Sequence, residues 1–393
     1  MENIYLFILI ALVLLAFADL IVGVSNDAVN FLNSAIGSKV LSFKTLMIIA
    51  SIGVFVGCVY SSGMMEVARK GIFNPGEFLF NEIMIIFMAV MITDILILDL
   101  FNSWGLPTST TVSIVFELLG ASVAMALIKI GVDNGSFTDL ATYINTSKAT
   151  QIILGILLSV FVAFSIGAIV QWVSRLLLSY DFKTKATWVG SIFGGIALTA
   201  ISYFVLMKGI KGTSYAGESF DLIGGMTIKD FLESNVITIV TYSSIIWSLI
   251  SFSLIRFFNV DIYKVIIGSG TFALALAFAG NDLVNFIGVP IAAWQSYEAW
   301  VASGVAANEF SMQVLASKVP TPNFLLIIAG IVMVVTLWFS KKARRVVKTE
   351  IDLSTQGEVS ERFNPNFLSR FIVMVGSSIS TLFKFGYKLY INL

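Results

Sequence analysis

Two six-residue stretches repeat one another: Asn26-Asp27-Ala28-Val29-Asn30-Phe31 and Asn281-Asp282-Leu283-Val284-Asn285-Phe286. Each places a carboxylate and two carboxamides at the end of a long apolar run, shortly after a glycine (Gly23 and Gly280). Carboxylate and carboxamide oxygens are hard ligands, suited to Na⁺ or another hard cation. Ionisable residues at membrane depth are costly and normally mark a functional site facing the protein interior. A buried aspartate bonded to nearby N–H groups would explain either copy alone; the repetition argues for function. The glycines are read as breaks that expose backbone carbonyls, and paired interrupted segments in two halves of a chain point to a transporter's substrate site.

A second stretch, Trp104-Gly105-Leu106-Pro107-Thr108-Ser109-Thr110-Thr111, offers different chemistry. Gly105 permits a tight turn and Pro107 suits the first position of a helix. The four hydroxyls would then sit in the first helical turn, where backbone N–H groups are unpaired and the helix dipole is positive. That combination suits a tetrahedral oxyanion. Helix capping uses the same residue types, but one hydroxyl suffices for it. Glu117, seven residues after Thr110, falls on the same helical face and is a candidate cation ligand. Asp19 and Asp94 are read as cation ligands or structural partners, and Asp99 as a surface or turn residue. Asn30 and Asn285 should face the same way as Asn26 and Asn281.

These residues need a membrane scaffold. The 393-residue chain is 57% hydrophobic and only 12% charged, about half the charge of a soluble domain. Its net charge is zero, which gives no reason to expect a nucleic-acid partner. With no histidine, imidazole relays and His-ligated metals are excluded. Cys58, the only cysteine, cannot form an intramolecular disulfide. The apolar runs predict an all-α, multi-span membrane protein with spans near 4–22, 45–67, 83–101, 107–128, 150–174, 187–207, 236–258, 262–280 and 324–340, and a weaker one near 367–383. The expected organisation is a first transmembrane half (1–207), an external loop (208–235), a second, inverted half (236–340), a charged cytoplasmic linker (341–365) and a weakly apolar C-terminal segment (366–393). The basic cluster Lys341, Lys342, Arg344, Arg345 and Lys348 places that linker in the cytoplasm and the N-terminus outside. The second motif-bearing span then comes seven spans after the first, an odd separation, so the copies are inverted relative to one another.

None of the 24 lysines and arginines falls in the core of these spans. An oxyanion beside two aspartates would be repelled by roughly several kcal/mol even at an effective dielectric near 20. Bound cations remove that repulsion, so anion and cation affinities would rise together.

The doubled signature, Gly23-Val24-Ser25-Asn26-Asp27 and Gly280-Asn281-Asp282, with Pro107-Thr108-Ser109-Thr110-Thr111, resembles the inorganic phosphate transporter family. The resemblance implies broken or re-entrant helices in inverted repeats and cation-coupled phosphate uptake, without a cofactor beyond Na⁺ or H⁺ as the coupling ion. It assigns Asn26, Asn281, Thr108, Ser109, Thr110 and Thr111 to phosphate. It assigns Asp27 and Asp282 to Na⁺, with Asn30 and Asn285 as further cation-binding residues beside Glu117, which the helical spacing alone suggests. The expected location is the cell's inner membrane, in contact with lipid, with a homodimer as the expected assembly although no residue selects it. Val112 stands where the family often has histidine, and Ser25 where a smaller residue is common. A second hydroxyl cluster is missing; its nearest counterpart is Pro320-Thr321-Pro322-Asn323, and the chain is expected to be the N-terminal part of a longer member. Rival readings are transport of another oxyanion such as sulfate, a Na⁺/Ca²⁺-type exchanger, and a membrane enzyme, for which no nucleophile or nucleotide motif is present.

Overall fold

A computed structural model describes residues 2–61, 71–178, 186–211, 217–221, 224–316, 321–353 and 366–391. The end of the expected span 45–67, Pro320 and residues 354–365 lie outside the described residues. The principal helices are α1 (Glu2–Asp27), α2 (Val29–Ser38), α3 (Phe43–Val59), α4 (Phe80–Trp104), α5 (Thr110–Val132), α6 (Thr146–Leu178), α7 (Ser191–Lys211), α8 (Val236–Phe258), α9 (Ile262–Ser303), α10 (Asn323–Phe339), α11 (Lys341–Leu353) and α12 (Phe367–Ile391). Seven helical segments among the described residues are long and apolar enough to cross a membrane, or eight if the bent pair α10–α11 forms one span. The protein is thus an all-α integral membrane protein.

The chain divides into two compact units, Met1–Ile351 and Asp352–Leu393. The second contains α12, whose Phe367, Leu368, Phe371 and Ile372 are exposed apolar side chains.

Both motif segments are longer than a bilayer requires. Residues Asn3–Ser38 form one 36-residue apolar helical segment and α9 has 42 residues. At 1.5 Å per residue these reach about 54 and 63 Å, against a hydrocarbon core of roughly 30 Å. The expected span 262–280 therefore does not end at its motif. The helix continues through Asn281 and Asp282 and even through Pro290. The first segment is interrupted at Ala28, after its Asn-Asp pair rather than before it. Gly23 and Gly280 are not breaks but lie inside continuous helices. A Cβ on Gly23 would overlap the Phe286 ring of the second motif. The Gly280 carbonyl accepts a hydrogen bond from Ser61 Oγ at 3.0 Å.

Small residues also bring α3 onto α9. A Cβ at Gly53 or Gly57 would meet the backbone carbonyls of Phe272 and Leu276, so both glycines allow the helix backbones to touch. Gly194 does the same between α7 and Ser251 of α8. Around these contacts Val24, Phe31, Val54, Phe278 and Phe286 form one buried core. A second core joins α4 and α5 to α9 through Phe80, Phe87, Leu118, Val289 and Trp300. Phe80 stacks on Trp300 with centroids 4.5 Å apart. Phe80 N–H donates to the Phe310 carbonyl at 2.9 Å, and Met312 N–H to the Phe78 carbonyl at 3.0 Å. These bonds tie the start of α4 to the segment that follows α9.

The charged stretch expected as a linker begins as helix α11, bent by 65° from α10. Ala343, Val346 and Val347 are buried along one side of it. Lys342 pairs with Asp99 at 2.5 Å, and Arg345 donates to the Ser103 carbonyl at 2.8 Å. Asp99 is thus a surface ion-pair partner.

Candidate functional site at the start of α5

The turn between α4 and α5 is built by its neighbours on α1. Gly105, in the left-handed region at φ 66°, ends α4, and its N–H reaches the Asn102 carbonyl. Leu106 N–H reaches back to the Phe101 carbonyl at 2.9 Å, so the chain reverses tightly. Asn26 then holds the turn from the side. Its Nδ2 donates to Asn102 Oδ1 at 2.8 Å and to the Leu106 carbonyl at 3.1 Å. Its Oδ1 accepts from Thr108 N–H at 2.8 Å. Asn102 in turn donates to the Val22 carbonyl at 2.8 Å. Asn26 and Asn102 are both fully buried, and together they lock the turn to the first motif. Sequence reading overlooked Asn102; an asparagine in the last turn of an apolar helix, shortly before Gly-Leu-Pro, was the available signal.

The helix starts later than Pro107 would suggest. Ser109 is the N-cap, with extended φ −101° and ψ 113°, and its hydroxyl accepts from Val112 N–H at 3.2 Å. Only Thr110 and Thr111 of the four hydroxyl residues lie inside α5. Asn26, from α1, engages the Thr108 N–H, and Ser109 supplies the side-chain cap. Ser109 therefore does perform the capping role that was weighed against an anion site.

The two threonines that follow point in different directions, one to each signature. Thr110 Oγ1 donates to Asp27 Oδ2 at 2.8 Å, in buried surroundings. Thr111 Oγ1 donates to Asp282 Oδ1 at 3.2 Å. Each aspartate also accepts from the asparagine three residues later, Asn30 to Asp27 and Asn285 to Asp282, both at 3.3 Å. The repeated spacing thus yields a repeated geometry. Asn285 additionally donates to Thr111 Oγ1 at 2.9 Å and lies 3.5 Å from Thr110 Oγ1. Residues 83 and 171 positions apart converge on two adjacent hydroxyls at one helix N-terminus.

Exposure differs across the site. Asp27, Thr110 and Asn285 are buried, Thr108, Asn281 and Asp282 are half-buried, and Asn30, Ser109 and Thr111 are exposed. Thr108 and Ser109 line a cavity of about 740 Å³ between α4 and α5, with Thr93, Val112, Ser113 and Glu117. Glu117 is not brought to Asp27 and Asp282. It accepts from Ser113 Oγ at 2.7 Å and stands with Asp94 and Asp19 in a separate group. Ser25, beside the first motif, meets Ser340 at the α10–α11 bend, with hydroxyl oxygens 2.7 Å apart. Thr321, from the second candidate cluster, is buried.

The arrangement combines three things: acidic oxygen ligands from two motifs, exposed hydroxyls at a helix start, and no lysine or arginine among the residues just described. Comparison with known proteins agrees with this chemistry. The family model described as "Phosphate transporter family" matches residues 23–380. The "Putative phosphate permease" of Pyrococcus horikoshii is 24% identical over 367 residues, covering 90% of this chain and 79% of that protein. Its namesake in Thermococcus kodakarensis is 25% identical over 372 residues, with coverage of 90% and 79%. A solved structure titled "The sodium-dependent phosphate transporter" shares the fold, at TM-score 0.58 and 18% identity, covering 88% of this chain and 82% of that one. With the family model matched over most of its length, the chain belongs to the phosphate transporter family, whose work is transport and not catalysis.

Proposed function

We propose that this protein is a cation-coupled phosphate symporter, with Na⁺ as the coupling ion, that carries phosphate into the cell. One observation carries the reading: Thr110 and Thr111, adjacent at the start of α5, bond to Asp27 and Asp282, one from each signature. An oxyanion-suited helix start and a cation-suited pair of carboxylates thereby share one site. Phosphate at Ser109, Thr111 and the backbone N–H groups of α5 would lie beside two carboxylates with no basic side chain to balance it. Cations held by Asp27 and Asp282, with Asn30 and Asn285 completing the ligand sets, supply that balance, and this makes the two affinities interdependent. Asn26 contributes by fixing the turn that presents the hydroxyls, and Asn281 stands next to Asp282 as a further phosphate ligand. The oxygen donor set suits a hard cation, and the related fold's title names sodium. The positive residues of α11 support a cytoplasmic position for that helix and an external N-terminus.

Uptake of labelled phosphate into proteoliposomes, with and without a Na⁺ gradient at fixed pH, tests the reading. Phosphate accumulation driven by the Na⁺ gradient is the expected result. Uptake of sulfate but not phosphate, exchange of Ca²⁺ for Na⁺, or phosphate uptake indifferent to Na⁺ would each overturn it.

A further inference from the structure

Where α10 bends into α11, a groove of about 250 Å³ opens between α2, α3, α10 and α11. Its wall is apolar and drawn from all four helices, with Leu32, Met47, Leu337 and Val347 buried along it. Ala343, Val347 and Ile351 stand one helical turn apart on α11 and form one stripe of that wall. Arg344 and Lys348, also one turn apart, edge the stripe and are the charged residues of the lining. Both are exposed. Arg344 donates to the Trp338 carbonyl at 2.9 Å, and its guanidinium lies 5.7 Å from the centre of the Phe43 ring. A guanidinium carries five N–H donors, so others remain for a ligand. Among the described residues no carboxylate forms an ion pair with Arg344 or Lys348. The acidic residues of α11, Glu350 and Asp352, do not line the groove. The turn that carries Ile36 and Phe43 to it adds exposed Lys39 and Lys44 and no acidic residue.

The position of the groove says what it meets. Helix α11 follows apolar α10 after Ser340 alone and turns from it by 65°. Five of its first eight residues are basic, so it cannot continue into hydrocarbon and lies along the membrane surface, as amphipathic interfacial helices do. At that depth acyl chains and headgroup phosphates are side by side. An acyl chain covers the apolar wall, and the phosphate at its head balances the two cations at the edge. Arginine suits that phosphate further because its fork can bind two oxygens at once. A free phosphate ion would leave the apolar wall uncovered. A protein partner needs a broad face of about 800 Å² per side, which a cleft of this size does not supply.

We propose that this groove is a binding site for one anionic phospholipid, with an acyl chain against Leu32, Met47, Leu337 and Val347 and the headgroup phosphate on Arg344 and Lys348. The site lies apart from Thr110, Thr111, Asp27 and Asp282, none of which lines it.

Native mass spectrometry of the purified full chain, titrated with dioleoyl phosphatidylglycerol or dioleoyl phosphatidylcholine in phosphate-free buffer, tests the proposal. Wild type should retain one phosphatidylglycerol per chain and bind phosphatidylcholine at least about tenfold more weakly. Lys348→Gln, a change at an exposed side chain, should weaken phosphatidylglycerol by about fivefold, and Arg344→Gln/Lys348→Gln by about 25-fold. Lys341→Gln makes the same charge change off the groove and should stay within about twofold of wild type. Ile351→Trp, which narrows the groove without altering charge, should also lose the lipid. A phosphatidylglycerol-induced rise in melting temperature, present in Lys341→Gln and reduced in Lys348→Gln, separates lost binding from misfolding. Equal binding of the two lipids, or equal loss in Lys341→Gln and Lys348→Gln, would overturn the proposal. So would displacement of the lipid by millimolar inorganic phosphate, which would make the edge a site for the free ion. Absence of any retained lipid would give the groove to a second copy or another part of the chain and would overturn it as well. Phosphate transport is not measured, so the outcome stands whether or not the symport reading does.

Discussion

The sharpest consequence of the site geometry concerns Thr110→Val, a nearly isosteric change that removes one hydroxyl. In the native protein that hydroxyl donates to Asp27 Oδ2 at 2.8 Å, and Asp27 is only 2% exposed. The remaining donor to Asp27 is Asn30, at 3.3 Å from an exposed position. A hydrogen bond to a charged group contributes about 1.5–3 kcal/mol, and burial with a short distance places this one in the upper half of that range. Without it the charged carboxylate facing Asp282 is harder to maintain and worse oriented for a cation. At a factor of ten per 1.4 kcal/mol, the apparent Na⁺ affinity should fall by roughly 40- to 150-fold. Thr110→Ser keeps the donor and should stay within about threefold of wild type, a difference of roughly 0.7 kcal/mol. The assay is initial phosphate uptake in proteoliposomes across a Na⁺ titration. Wild-type Na⁺ dependence in Thr110→Val, or equal loss in the valine and serine variants, would refute the assignment of this hydroxyl to Asp27.

Thr111→Val should act in the same direction but more weakly, by about 2- to 10-fold, because its 3.2 Å bond lies in exposed surroundings where hydrogen bonds contribute roughly 0.5–1.5 kcal/mol; the same Na⁺ titration reads it. Asp27→Asn and Asp282→Asn should each abolish Na⁺-driven accumulation while the protein stays monodisperse in gel filtration. Gly57→Val should lower the melting temperature and folded yield, since its Cβ would meet the Leu276 carbonyl, and overpacking of this kind costs about 1–3 kcal/mol. Lys342→Ala removes a pair whose partners are 42% and 46% exposed, so its melting temperature should barely move, consistent with a contribution of about 0–1 kcal/mol.

Much of this protein was legible in its residues. Low charge and long apolar runs settle that it is a helical membrane protein, because the bilayer leaves few other ways to satisfy a backbone. Asn26-Asp27 and Asn281-Asp282 declare themselves because polar groups at that depth demand a reason, and the three-residue spacing to Asn30 and Asn285 already contains the local Asp–Asn pairing. The four-residue spacing of Gly53 and Gly57 in an apolar run is likewise a pattern that permits close helix contact. Local sequence could not reveal which surfaces those glycines would meet, and it misassigned two of them. Gly23 and Gly280 read as helix breaks, yet both lie inside continuous helices, and at Gly23 the Phe286 ring packs where a Cβ would stand. The start of α5 moved to Thr110 because Asn26, 82 residues earlier, takes the Thr108 N–H. Helical periodicity put Glu117 on the face of Thr110, and it lines the cavity with Thr108 and Ser109, but only the packing of α1 and α4 against α5 gave it Asp19 and Asp94 as neighbours. Periodicity fixes which face of a helix a side chain occupies, but only the neighbouring helix decides what that face meets. The pairing of Thr110 with Asp27 and Thr111 with Asp282 is such a decision, made by tertiary packing across 83 and 171 residues of chain.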